Sequence, residues 1–267
     1  MGRSVEQIER DLAALEEVGH VLTSEIRSAY ASYLTALGRA LRQQMILASY
    51  HLCTQGYPKQ FLSLSVSQRQ QLQQTVRKLS QQASDQLLNH TKTEETEETE
   101  ATEATEASEN NSSSPHASNP IELVKWQQKL EQAIANTLKT VSYETNRLLQ
   151  QAGILPKKLP APLLEAAVNS SEDSDEAISG PPNLLNLLVE TENHEDPSED
   201  SSLTQIIAIN MRLSEIEFTD TTLRAGRNKV RNLEVKARSL VREYQKKQRE
   251  RAVAEAEGAW RASWFEE

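Results

Sequence analysis

Proton transfer near neutral pH is the first chemistry to look for, and the chain has five histidines for it: His20, His51, His90, His116 and His194. Three of these, His90, His116 and His194, lie at or inside polar acidic stretches, where nothing rigid holds a general base near a substrate proton. His51 and the single cysteine, Cys53, are two residues apart and on a helix point to different sides. Helical-bundle enzymes with two metal ions use two Glu-x-x-His pairs. Only Glu17 and His20 have that spacing, which is half of such a site. Calcium loops need fixed oxygen ligands around a central glycine, and the glutamates of 94–109 have no such frame. The eight glycines form no phosphate-cradling loop, and no HExxH, CxxC or GxSxG pattern occurs. The expectation is a non-enzymatic chain with no catalytic residue, no metal site and no cofactor.

Two other constellations have binding chemistry. Residues 224–251 carry eleven basic side chains against Glu234, Glu243 and Glu250. Within them Arg227, Lys229, Arg231, Lys236, Arg238, Arg242, Lys246, Lys247 and Arg249 are candidate contacts to nucleic acid phosphates or to an anionic membrane surface. The same charges also suit the solvated face of a coiled coil, or neutralisation by the chain's own acidic stretches. The second constellation is an apolar island at 182–189. Leu184, Leu187 and Leu188 stand at i, i+3 and i+4, with Leu185 adding apolar surface. On a short helix these share one face and would dock in a partner's apolar groove. The other reading is that the island folds back onto the chain's own helices.

The elements that must position these groups read as helices. Apolar or small residues recur at Val5, Ile8, Leu12, Leu15, Gly19, Leu22, Ile26, Ala29, Tyr33, Ala36 and Ala40, in steps of three and four, which is a heptad seam. The stripe then drifts to Leu37, Leu41, Met45, Ala48 and Leu52, and Gly56-Tyr57-Pro58 ends it. A second helix begins at a capping box near Ser65 or Ser67 and buries Leu72, Val76, Leu79, Ala83 and Leu87, predicting an antiparallel hairpin. A third has Asn119 as cap, Pro120 in its first turn and a stripe from Leu123 to Leu148, with Gly153 and Pro156 closing it. Residues 203–216 read as one more helix, restarted by a cap at Thr219 or Asp220 and continued by Leu223, Val230, Leu233, Ala237, Leu240 and Tyr244. No sustained two-residue alternation argues for strands.

Between the helices lie two acidic stretches. Residues 91–114 hold eight glutamates and one lysine, and 171–202 hold ten acidic residues and no basic one. Without an apolar face to offset ordering entropy, both read as disordered linkers. They also mislead about charge. The whole chain is −10, but removing these eighteen acids and one lysine leaves 21 acidic against 28 basic residues. The 37% hydrophobic and 4% aromatic content is too low for one thick globular core. One cysteine, no apolar run of membrane-spanning length and no leader-like start suggest the cytoplasm.

Three phrases add a resemblance: Met211-Arg212-Leu213-Ser214-Glu215-Ile216-Glu217-Phe218, Arg242 through Arg249 (REYQKKQR), and Ala259-Trp260-Arg261-Ala262-Ser263-Trp264-Phe265. Over roughly the last sixty residues the chain resembles an uncharacterised family of cyanobacterial proteins. The resemblance implies a bacterial cytosolic setting and brings no catalytic or binding role.

Together these observations predict an all-α chain, an elongated bundle or coiled coil of four to five helices with two disordered acidic linkers. Its parts are a helical hairpin at 1–90, a linker at 91–118, a capped long helix with a proline-rich end at 119–168, a second linker with the leucine island at 169–202, and a helical region at 203–267. The expected function is a scaffold or adaptor that assembles with a protein partner, or with itself, through the N-terminal heptads. The alternative is a module whose basic helix binds nucleic acid or an anionic membrane.

Overall fold

The computed structural model describes residues 5–100, 120–156, 181–191 and 202–264, and their side chains except at 91–100, 187–191 and 202–204. The described residues form an all-α architecture of six helices and one small two-stranded ribbon. Helix α1 runs Val5–His51 and widens into a π turn at Leu52–Gly56. There Tyr57 N donates to Leu52 O (2.9 Å), and Pro58 opens the short helix α2, Pro58–Ser63. Helix α3 spans Val66–Glu100 and α4 spans Pro120–Gln151. Strands β1, Leu184–Thr191, and β2, Ser202–Ile209, are followed by α5, Leu213–Thr219, and α6, Thr221–Trp264.

The punctuation marks act as their chemistry requires. Ser65 N donates to Gln68 Oε1 (2.8 Å) while Gln68 N donates to Ser65 Oγ (3.3 Å), a reciprocal capping box that starts α3. Gly153 takes φ +77, a left-handed turn that closes α4 and brings Ile154 N to Leu149 O at 3.0 Å. Asp220 Oδ1 accepts from the backbone N–H groups of Thr222 and Leu223, which caps α6.

The chain gathers into two compact units. The first takes α1 up to Tyr33, residues His90–Gln132 and α6 from Ala225 onward. Its interior holds Leu22, Ile26, Tyr30 and Tyr33 of α1, Leu123, Trp126 and Leu130 of α4, and Val230, Leu233, Ala237 and Leu240 of α6, all buried. Tyr30 meets Trp126 edge to face at 5.6 Å. At one end Ile8, Leu12 and Tyr244 form a cluster. The second unit takes Leu34–Asn89 and Ala133–Arg224. Here α1 and α3 run antiparallel: Gly38 faces Ser84, and Arg42 bonds to Gln81 (2.5 Å). A side-chain carbon on Gly38 would stand 2.3 Å from Ser84 Oγ, so the glycine is what lets the helices approach. The predicted drift of the α1 stripe is visible, because Leu37, Leu41, Met45, Ala48 and Leu52 are all buried. An apolar pattern near 3.5 residues slips around a helix of 3.6.

Three expectations need correction. Residues 202–209 are a strand, not the start of the last helix. The leucine island is a strand too, paired antiparallel with it as Leu184↔Ile209, Leu185↔Ala208, Leu187↔Ile206 and Leu188↔Gln205. Short continuous apolar runs do not reveal their periodicity, and Ile206, Ile207 and Ile209 are β-branched residues suited to a pleated surface. Residues 91–100 continue α3 instead of opening a linker. The remainder of the predicted linkers, at 101–118, 169–180 and 192–201, and the proline-rich segment from 157 to 168, lie outside the described residues.

Candidate functional site

The leucine island occupies the seat of the ribbon. Leu184 and Leu185 are buried, so neither is presented as one face of a free helix. The ribbon is held by polar side chains from its own unit. Asn146 of α4 acts like one more strand residue: its Nδ2 donates to Ile209 O (2.7 Å) and its Oδ1 accepts from Ile209 N (2.9 Å). Ser142, one turn earlier, accepts from Met211 N (2.9 Å) and donates to Leu138 O (2.7 Å). Ile207 N donates to the Tyr57 hydroxyl at 3.0 Å. Asn183 stands at φ 61, a left-handed position that asparagine tolerates. Its backbone N–H donates to Glu215, its carbonyl accepts from Asn210 N, and its amide donates to Gln44 (3.2 Å). Burying these backbone groups without partners would cost about 1–3 kcal/mol each. Asn146 and Ser142 did not stand out in the sequence, because isolated Asn and Ser within apolar stripes carry no pattern.

The basic helix divides its charge between two directions. Leu223, Val230, Leu233, Ala237, Leu240 and Tyr244 form its buried stripe at steps of seven, three, four, three and four. Two of the candidate cations turn toward the interior of the first unit. Arg227 pairs with Glu131 at 2.5 Å and lies over the Tyr33 ring at 5.6 Å. Glu131 Oε1 also accepts from the Tyr30 hydroxyl (2.8 Å). Burial of Tyr30, and then the Glu131 charge, push that phenol well above its ordinary range, with Arg227 opposing. Lys247 pairs with Asp11 (2.8 Å) and with Glu250 (3.2 Å).

The remaining cations point away. Arg231, Arg238, Arg242, Lys246 and Arg249 are exposed and follow one another at steps of seven, four, four and three, which places them on one face opposite the buried stripe. Lys229 and Lys236 are exposed too, but away from that face, at the edge of the buried stripe. Along this outer face only Arg238 has an ion pair within the helix, to Glu234. Such i,i+4 surface pairs contribute about 0.3–0.5 kcal/mol. Two apolar residues lie in line with the cations, Val235 (69% exposed) and Val253 (51%). Beyond them, seven and then four residues on, stand Trp260 (68%) and Trp264 (71%), their rings stacked at 6.0 Å. In the terminal segment 251–264 charge is cancelled locally, by Arg251 with Glu255 (2.7 Å) and Arg261 with Glu257 (3.4 Å).

Elsewhere the groups that suggested chemistry are plainly placed. Glu17 and His20 are both on the surface of α1. Cys53 is buried on the π turn, and burial pushes its thiol up to about 11, away from the thiolate a nucleophile needs. It borders an apolar cavity of about 310 Å³ with Ile46, Tyr50, Phe61, Leu72 and Val76. Among the described residues, no group of three or more His, Cys, Asp or Glu is arranged to hold a metal ion, and no helix is long and apolar enough to cross a membrane. No protein-family model, curated protein or solved structure matches the chain.

Proposed function

We propose that this chain is a non-enzymatic helical interaction protein that engages an anionic surface through the outer face of α6. One observation carries the proposal: Arg231, Arg238, Arg242, Lys246 and Arg249 share the exposed face of a helix whose opposite stripe is buried. A helix anchored in this way presents its cations as a fixed row, so a polyanion gains counterion release without ordering the helix first. The other candidate surfaces support it less. The N-terminal seam is already covered within the chain, since Ile8, Leu12, Leu22 and Ile26 are buried, and Leu184 and Leu185 are buried as well.

The test is retention on a heparin column across a salt gradient. The wild-type chain should bind at about 50 mM salt and elute steeply as salt rises, because every neutralised anion contributes to the salt slope. Replacing Arg231, Arg238, Arg242 and Arg249 with Gln should abolish retention without changing the thermal melt. Wild-type protein that passes straight through at low salt would end the proposal.

A further inference from the structure

The row of cations ends in a pair of tryptophans, and this end of α6 does not look like the rest of it. From Arg231 to Arg249 the outer face is cationic, while segment 251–264 carries two basic and two acidic residues, paired with each other. That segment is almost wholly exposed, and Trp260 and Trp264 stack on one another with about seventy per cent of each in solvent. A surface for single-stranded nucleic acid interleaves aromatic rings with cations, so that base and phosphate of one nucleotide are held together. Here Trp260 follows Arg249, the last cation of that row, by eleven residues, about 16 Å along the helix axis, and the exposed Arg251 and Arg261 nearer the rings are paired with Glu255 and Glu257. No single nucleotide bridges that gap. A bilayer surface fits it instead. Anionic headgroups meet the cationic stretch, and the indole rings, amphipathic and enriched at lipid–water interfaces, enter beside it where charge is locally cancelled.

We infer that the anionic surface is a lipid bilayer carrying anionic phospholipid, with Arg231 to Arg249 on its headgroups and Trp260 and Trp264 seated in its interface. This rests on the reading of the outer face as an anion-binding surface, and the two fail in different ways. The geometry places the helix along the membrane plane, held reversibly by several modest contributions, each lysine or arginine near the surface and each buried ring adding to the others.

The experiment uses the full chain with vesicles of phosphatidylcholine alone, and of phosphatidylcholine with about one third phosphatidylglycerol, read by co-sedimentation and tryptophan emission. The expected result is binding to the anionic vesicles only, with a blue shift. Trp260→Ala with Trp264→Ala should bind about tenfold more weakly and lose the shift, while Trp126, buried in the first unit, supplies a steady emission baseline. The four-arginine variant should lose about a hundredfold or more, consistent with several surface charges removed together. Three results would overturn the inference: equal binding to neutral vesicles, unchanged binding and blue shift in the tryptophan variant, or binding to duplex DNA with none to vesicles. The last would leave the anionic-surface proposal standing, whereas failure to bind heparin, DNA and vesicles at low salt would remove both.

Discussion

Asn146 and Arg242 are both polar residues on long helices, and they do opposite things. Around Asn146, in the seat of the ribbon, nearly every polar atom described is committed: to Ile209, to Met211, to Tyr57, to Asn183. On the outer face of α6, Arg242 and its neighbours extend into water beside exposed Val235 and Val253. The contrast teaches where in a helix to look for binding chemistry. Chemistry that structure has used up is stabilising; chemistry held rigid but left in solvent is available to a partner. Arg227 and Arg231 show the same division within one helical turn, since the first is tied to Glu131 and the second is exposed.

The largest way to sharpen this contrast is Asn146→Ala. It strips partners from the buried N–H and C=O of Ile209 and should cost about 3 kcal/mol, measured by urea unfolding. Loss of less than about 1 kcal/mol would mean that water reaches the ribbon seat. Glu131→Ala comes next, at about 2 kcal/mol, because it leaves Arg227 partly buried without its counter-charge and takes the Tyr30 acceptor. A smaller effect concerns pH. The Cys53 thiol is raised from 9.0 to about 11 in the folded chain. Between those values the unfolded thiol ionises and the folded one does not, so its contribution is present below pH 9 and is lost as pH rises toward 11. From pH 8 to pH 10 the loss should be about 1 kcal/mol, seen as the part of the pH slope that Cys53→Ala removes. The smallest effect is the most telling. Neutralising Arg231, Arg238, Arg242 and Arg249 together should change stability by about 0.5 kcal/mol or less while abolishing heparin retention. A large destabilisation would put those arginines on the structural side of the comparison.

The long helices were legible because their signals repeat: a stripe every three or four residues in α1 and α6, caps at Ser65 and Asp220, and Pro120 in the first turn of α4, whose expected cap Asn119 lies outside the described residues. So was the basic face, although counting charges did not separate Arg227 and Lys247, which pair inward, from the five that point out. What separated them was their angle to the buried stripe, readable once Val230, Leu233, Ala237 and Leu240 were taken as the inner side. The ribbon was not legible. Leu184–Val189 and Leu203–Ile209 are short and mostly apolar, and a run of that kind does not say whether it is helix or strand. Its identity comes from Asn146, Ser142 and Tyr57, which are remote in sequence and supply hydrogen bonds that suit an extended backbone.

The cluster that joins Ile8 and Leu12 to Tyr244 has a consequence in time. The nearby bond between Tyr244 and Glu16 spans 228 residues of sequence. A ribosome adding roughly 5–20 residues per second needs about ten to fifty seconds to travel that far. For that interval Ile8 and Leu12 have been made without the helix that covers them, and this part of the first unit closes only when α6 has followed.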